Sequence, residues 1–203
     1  MPALILQNTL AEKRRYGGNM ELFEKTLEQK YIYKGKVVTL RVDTAELPNG
    51  NACIREVVEH SGGVTVAALT KEMELVLVRQ FRYPYAEVLL ELPAGKIELS
   101  EDPLACGKRE LLEETGAAAS KYIDLGKFYP TPGYCGEIIH LYGAMDLEFT
   151  QQKLDDDEFL EIVKIPLEKA VEMIKKNEIR DGKTQAAVLK LYLLLKEGGE
   201  AFI

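Results

Sequence analysis

Alternation of apolar and polar residues dominates the first third of the chain. It runs through residues 31–47, YIYKGKVVTLRVDTAEL, and again through residues 51–60, NACIREVVEH. A two-residue period is typical of strands with one buried face. The Asn49-Gly50 pair between the two runs favours a hairpin turn. The pattern therefore predicts a small antiparallel sheet within residues 20–60.

Continuous apolar runs follow a break at Ser61-Gly62-Gly63, which we take as the domain boundary. Short apolar runs bounded by turn residues predict buried strands. The predicted strands cover residues 64–70, 74–83, 122–129, 138–145 and 159–165.

One helix is marked clearly at both ends. Asp102-Pro103 combines a good N-cap with the residue favoured at the first helical position, and Gly116 is a typical C-terminal stop. The helix is therefore predicted over residues 103–115, with Leu104, Leu111 and Leu112 anchoring it to a sheet. Two further helices are expected over residues 166–176 and 183–196. Strands followed by mixed strands and helices predict an α+β layered fold.

Composition limits the possible partners and environment. The 203 residues carry a formal net charge of −7 and are 46% hydrophobic and 29% charged, which is ordinary for a globular chain. No apolar run approaches the roughly 20 residues that span a bilayer. An acidic chain attracts neither nucleic acid nor an anionic membrane, so we expect neither partner. The three cysteines have no disulfide or zinc spacing, and we expect a cytoplasmic protein.

The chain is therefore predicted to comprise a leader over residues 1–19, a sheet region over 20–60 and a main domain over 61–203. The leader resembles nothing else in the sequence, and Met20 opens a more convincing start. Whether Met1 or Met20 is the true start stays open.

Three carboxylates share one face of the first helix. Glu110, Glu113 and Glu114 stand at i, i+3 and i+4, where like charges repel unless a cation or solvent compensates them. Oxygen ligands of this kind suit Mg²⁺ or Mn²⁺. A solvated acidic face is the common alternative for three such glutamates.

The residues around this stripe decide between the two interpretations. Glycine, five residues, glutamate, seven residues and then Arg-Glu-apolar-x-Glu-Glu-x-Gly-apolar describe residues 95–117 in full. This segment resembles the box of the Nudix hydrolases. The resemblance implies an α/β/α Nudix sandwich, with the small amino-terminal antiparallel sheet beside it.

The flanking segments resemble the ADP-ribose pyrophosphatase branch of that family. They are REVVEH at 55–60, VRQFRYP at 78–84, LLELPAGKIE at 89–98 and FYPTPGYCGE at 128–137. Pro132 lies sixteen residues beyond Gly116, a spacing that in this family tracks with ADP-ribose preference. Enzymes acting on other nucleoside diphosphate sugars share several of these features.

The resemblance implies metal-dependent hydrolysis of a diphosphate, giving AMP and ribose 5-phosphate from ADP-ribose. Glu110, Glu113 and Glu114 would hold Mg²⁺, or Mn²⁺, with the carbonyl of Ala94 completing the site. Metal ions would neutralise the diphosphate and activate water. The residues expected to orient these ligands, rather than bind the metal, are Gly95, Glu101 and Arg109, the last two as an ion pair.

A general base is expected outside the helix, since metal-bound carboxylates accept protons poorly. The acidic run at residues 155–158 is the candidate. Glu158 is favoured and Asp156 is close behind, while a solvated loop remains the alternative.

Substrate contacts are expected from residues around the box. Arg55 and Arg82 match arginines that reach the phosphates in similar enzymes, and arginine can do so bidentately. Arg79, Pro132 and Glu137 are weaker candidates. Phe128, Tyr129 and Tyr134 could stack on adenine but are more often core residues, and His60 and His140 are expected to be structural.

The resemblance also implies a homodimer in which the amino-terminal sheet carries Arg55 into the partner's site. Two other functions stay open. One is hydrolysis of another nucleoside diphosphate sugar, and the other is a sensor that binds ADP-ribose without turnover. The complete carboxylate set argues against the sensor.

Overall fold

The computed structural model describes residues 22–154 and 158–198, which form ten strands and three α-helices. The strands are β1 (Lys25–Lys34), β2 (Thr39–Glu46), β3 (Ala52–Glu59), β4 (Gly63–Ala68), β5 (Glu74–Arg82), β6 (Glu87–Glu91), β7 (Ala94–Lys96), β8 (Ala117–Phe128), β9 (Ile139–Phe149) and β10 (Leu160–Pro166). The helices are α1 (Pro103–Thr115), α2 (Leu167–Lys175) and α3 (Gly182–Lys196). None of the helices in the described ranges is long and apolar enough to cross a membrane. The predicted leader lies outside the described residues.

The chain divides into two compact units, one ending at His60 and one beginning at Ser61. The first contains an antiparallel sheet in the order β1-β2-β3. The predicted turn is present, because the Gly50 N–H donates to the Leu47 carbonyl at 2.9 Å and Gly50 has a φ of 83°. The alternating run at 31–47 belongs to two strands rather than one, since the chain turns where the Gly35 N–H donates to Val38.

The second unit has two sheets. One is antiparallel in the order β10-β5-β6, and the other is mixed in the order β7-β4-β9-β8, with β4 parallel to β9. Side chains alternate along β4: Val64 and Val66 join one hydrophobic cluster, and Ala67 joins another. Helix α1 supplies Leu111 to the first cluster, and α3 supplies Leu191 to the second. The mixed sheet therefore lies between the two helices, which confirms the predicted α+β sandwich.

Helix α1 begins and ends where the sequence predicts. The Asp102 carboxylate accepts hydrogen bonds from the N–H groups of Leu104 and Ala105 at 3.0 Å, and Gly116 ends the helix in the left-handed region. The prediction that Leu112 anchors the helix is wrong, because this residue is 41% exposed. The buried arc of the helix instead includes Glu110 and Glu114.

Candidate active site

Two carboxylates of α1 are withdrawn from solvent. Glu110 is 8% exposed and Glu114 is 2% exposed, although glutamate is almost never fully buried without a partner. Both face the beginning of β7. The Ala94 N–H donates to Glu114 Oε2 at 3.2 Å, and Gly95 lies against the Glu110 carboxylate. Helix α1 and strand β7 therefore meet at the carboxylates.

Burial changes the acidity of this pair. Burial and the neighbouring charge of Glu110 raise the pKa of Glu114 to about 8. Burial also raises the pKa of Glu110, although Arg109 opposes the shift. The positive charge near each carboxylate is therefore too small to offset the cost of burying its ionised form.

Arg109 connects the helix to the segment before it. Its guanidinium donates to both oxygens of Glu101, at 2.9 and 3.1 Å, and Nη1 donates to Glu110 at 2.8 Å and Glu113 at 3.0 Å. The hydrogen bond from Arg109 lowers the pKa of Glu101 to about 2. The expected ion pair between Glu101 and Arg109 is therefore present. The same guanidinium also binds Glu110 and Glu113.

The residues present fit a divalent cation. Glu110 and Glu114 supply hard oxygen donors in a buried place, and the Glu110 carboxylate fits against Gly95 because that residue has no side chain. Within the described ranges, no three acidic, histidine or cysteine side chains are already grouped around one point. Glu113 is bonded to Arg109, so it would have to turn from that guanidinium to join the ligands.

The favoured general base interacts electrostatically with the same carboxylates. The charge of Glu158 contributes to the raised pKa of both Glu110 and Glu114. Its side chain also lines an open groove of about 350 Å³ together with Arg79, Phe81, Val88, Leu154, Phe159, Leu160 and Glu161. Asp156, the other candidate base, lies outside the described residues.

The three predicted substrate arginines have different surroundings. Arg82 donates from Nε and Nη2 to the two oxygens of Glu91, at 2.7 and 2.8 Å. These hydrogen bonds raise the pKa of Arg82, and the charge of Glu114 adds a smaller contribution. Arg79 donates to Glu161 at 2.8 Å. Arg55 belongs to the amino-terminal unit, where it pairs with Glu24.

The remaining predicted residues lie on the segment between β8 and β9. Pro132 stands inside a turn closed by the Cys135 N–H, which donates to the Thr131 carbonyl at 3.0 Å. A side-chain oxygen of Glu137 lies beside Gly63, the first residue of β4. Tyr129 and Tyr134 are exposed rather than part of the core.

Sequence reasoning missed two charged residues behind Arg82. Glu91 is 1% exposed, and Lys183 forms an ion pair with it from the start of α3. Lys183 is 92 positions from Glu91 in the chain. No local pattern marks such a pair, although Glu91 lies inside the segment LLELPAGKIE.

Comparisons with known proteins cover both units. The family described as the NUDIX domain matches residues 59–188, and the nucleoside diphosphate sugar hydrolase N-terminal domain matches residues 24–58. An ADP-ribose pyrophosphatase of Bacillus subtilis (strain 168) is 43% identical over 89% of this chain and 97% of its own. The methanol dehydrogenase activator of Bacillus methanolicus is 44% identical over 86% of this chain and 94% of its own.

More distant relatives differ in the substrates that their names give. A GDP-mannose pyrophosphatase of Yersinia pestis (strain Pestoides F) is 33% identical over 64% of this chain and 71% of its own. A crystal structure of an ADP compounds hydrolase superposes with a TM-score of 0.78 at 20% identity, covering 91% of this chain and all of that one. At that identity the superposition shows the shared fold.

Proposed function

The chain belongs to the Nudix hydrolase family, and we propose that it hydrolyses the diphosphate of ADP-ribose to AMP and ribose 5-phosphate. The observation that carries this proposal is the burial of Glu110 and Glu114 against Ala94 and Gly95 at the start of β7. Carboxylates held there attract a divalent cation, and the cation in turn attracts a diphosphate. ADP-ribose is favoured because the likeness to the Bacillus subtilis pyrophosphatase spans both units.

Nudix hydrolases generally need a divalent metal, and we propose Mg²⁺ here, with Mn²⁺ as the substitute. Glu110, Glu113 and Glu114 would hold it with the carbonyl of Ala94. When bound, the metal would neutralise diphosphate oxygens and lower the pKa of water. Glu158, or Asp156, would take the proton of the attacking water, and Arg109 with Glu101 would keep the helix and its preceding loop in register.

The substrate anion requires donors that a chain of net charge −7 does not supply in bulk. Arg82 is the strongest candidate, because Glu91 binds two of its nitrogens, while Nη1 has no hydrogen-bond acceptor among the described residues and can reach a phosphate. Arg79, Pro132 and Glu137 would border the same substrate. The cytoplasmic location is a proposal that rests only on the three cysteines, which lack disulfide spacing.

We also propose a homodimer with composite sites, in which Arg55 serves the partner copy. Support comes from the amino-terminal sheet, whose first strand is exposed along its whole length. Its apolar side chains include Leu27, Tyr31, Ile32 and Tyr33, and a three-stranded sheet with such a surface is usually covered by another element.

The test is a panel of nucleoside diphosphate compounds, assayed with Mg²⁺ and with Mn²⁺ and scored by product identity and kcat/KM. We expect ADP-ribose to be the best substrate, with AMP and ribose 5-phosphate as products, and Glu114→Gln to be inactive. A higher kcat/KM for a GDP- or UDP-sugar would overturn the substrate while keeping the reaction type. Binding of ADP-ribose without hydrolysis under either metal would favour the sensor.

A further inference from the structure

The amino end of α3 binds the segment that leads from the end of β6 into β7. Lys183 Nζ forms an ion pair with Glu91, the last residue of β6, and lies 3.0 Å from Asp181 Oδ2. One residue further on, Thr184 Oγ1 accepts a hydrogen bond of 2.9 Å from the Leu92 N–H. Two neighbouring residues of the helix thus bind two neighbouring residues of the segment.

This contact is buried and charge-balanced. Thr184 is fully buried, and the Lys183 side chain is 12% exposed. The four charges of Arg82, Lys183, Glu91 and Asp181 cancel one another. Burial opposes the ionisation of Glu91, but the hydrogen bond from Arg82 and the charge of Lys183 leave its pKa below the usual value. A buried network of this kind is weak evidence for stability, and fixing geometry is its better-supported use.

Both branches of the contact lead to the candidate active site. Through Glu91, Lys183 reaches the arginine that would contact the phosphates, since both Glu91 oxygens are bonded to Arg82. Through Leu92, Thr184 fixes the backbone two residues before Ala94. The Ala94 N–H is in turn bonded to Glu114.

We propose that Lys183 and Thr184 are positioning residues for the hydrolysis, an inference that rests on the proposed function. Lys183 holds Glu91 so that Arg82 presents Nη1 to the substrate phosphate. Thr184 holds the backbone at Leu92 and thereby fixes the position of Ala94 against α1. Helix α3 therefore supports the active site without touching the substrate.

Kinetics of Lys183→Met test the first branch. The change leaves Glu91 with Arg82 alone, so the guanidinium is drawn further towards Glu91. We expect KM for ADP-ribose to rise about tenfold with kcat within about threefold, and Lys183→Arg to restore most of the loss. Lys190→Met is the matched control, because Lys190 lies on the same helix and bonds the Leu125 carbonyl; its KM should not change.

Thr184 gives a second, milder test if Lys183→Met does not fold. Thr184→Val keeps the shape but leaves the Leu92 N–H without its acceptor, whereas Thr184→Ser keeps the hydroxyl. We expect kcat to fall about tenfold in the valine variant and to recover in the serine variant. Folded variants that lose melting temperature without any change in KM or kcat would overturn the positioning role. A wild-type protein without hydrolase activity would overturn the proposed function, and this inference with it.

Discussion

The carboxylate of Glu110 occupies the space that a side chain at Gly95 would fill. A Cβ added to Gly95 would lie 1.9 Å from Glu110 Cδ, far inside any contact that two carbons can make. The φ of Gly95 is not positive, so its backbone conformation does not itself require glycine. The absence of a side chain at position 95 therefore serves the approach of the helix carboxylate.

Gly95→Ala should separate activity from stability. The atoms that the new methyl group meets are at the end of a flexible side chain, so Glu110 can swing aside with little loss of folding free energy. The carboxylate then leaves the position at which we expect it to bind metal. We expect kcat/KM to fall at least about 100-fold, with a melting temperature close to that of the wild type.

Gly107→Ala is the control for this prediction. Gly107 lies on α1 itself, and a Cβ there would meet methyl groups of Val64 and Val66 at 3.1 and 3.2 Å rather than a carboxylate. Activity should stay within about threefold of wild type. Equal loss of activity in the two variants would show that helix packing, rather than the position of Glu110, limits the reaction.

Thermal stability of the metal-free protein should depend on the protonation of Glu114. Its pKa is raised from 4.5 to about 8 by burial and by Glu110. A carboxyl with a higher pKa in the folded chain binds more protons there than in the unfolded chain, so its stabilising effect is present below pH 4.5 and is lost as the pH rises through 8. The melting temperature in a chelator should therefore fall across this window.

Glu114→Gln checks the origin of that slope, because an amide does not titrate. The variant should show a flatter melting profile between pH 4.5 and 8. In the wild type, Mg²⁺ must displace the proton, so its stabilising effect should grow with pH over the same range. Glu101, whose pKa is lowered to about 2, acts below this window. An unchanged slope in Glu114→Gln would assign the effect to another group.

Glu158→Gln tests the general base. Its charge helps to raise the pKa of both Glu110 and Glu114, so the three carboxylates interact electrostatically. We expect kcat to fall about 100-fold or more, with KM little changed. Glu172→Gln, which removes an exposed carboxylate paired with Lys175, is the control. Near-normal kcat in Glu158→Gln would move the role to Asp156 or out of this segment.

Local chemistry explains why some elements could be predicted. The limits of α1 follow from Asp102 and Gly116, which act through their own neighbours in the chain. The separate strand β1 was not predicted, because the alternation continues across the turn that begins at Gly35. Periodicity records which side chains could share a face, but it does not record where the backbone turns.

The site shows the same limit at longer range. The spacing within the box placed Glu110 and Glu114 on one face, and the structure adds that this face is buried. Arg82 was predicted as a phosphate ligand, but its bidentate partner Glu91 lies on the neighbouring strand β6, and Lys183, which pairs with Glu91, comes from the distant helix α3. Such contacts depend on tertiary packing, which no spacing in the sequence reports.

Mixed dimers test whether Arg55 acts in the partner's site. Arg55 is exposed in the amino-terminal unit, where its side chain pairs with Glu24. A phosphate could replace Glu24 as the acceptor of its two nitrogens. If Arg55 serves its own chain, each copy carries a complete site; if it serves the partner, every site needs two copies.

Arg55→Ala and Glu114→Gln, each inactive alone, should therefore restore activity when refolded together. In a composite arrangement, the mixed dimer has one site with Glu114 from the first chain and Arg55 from the second, so half of its sites are intact. Random pairing makes half of all dimers mixed, and we expect about a quarter of wild-type kcat. The control mixes Gly95→Ala with Glu114→Gln, two changes expected to damage the site of their own chain, and should restore nothing. Absence of recovery in the first mixture, or an active monomer by light scattering, would place Arg55 in its own chain's site.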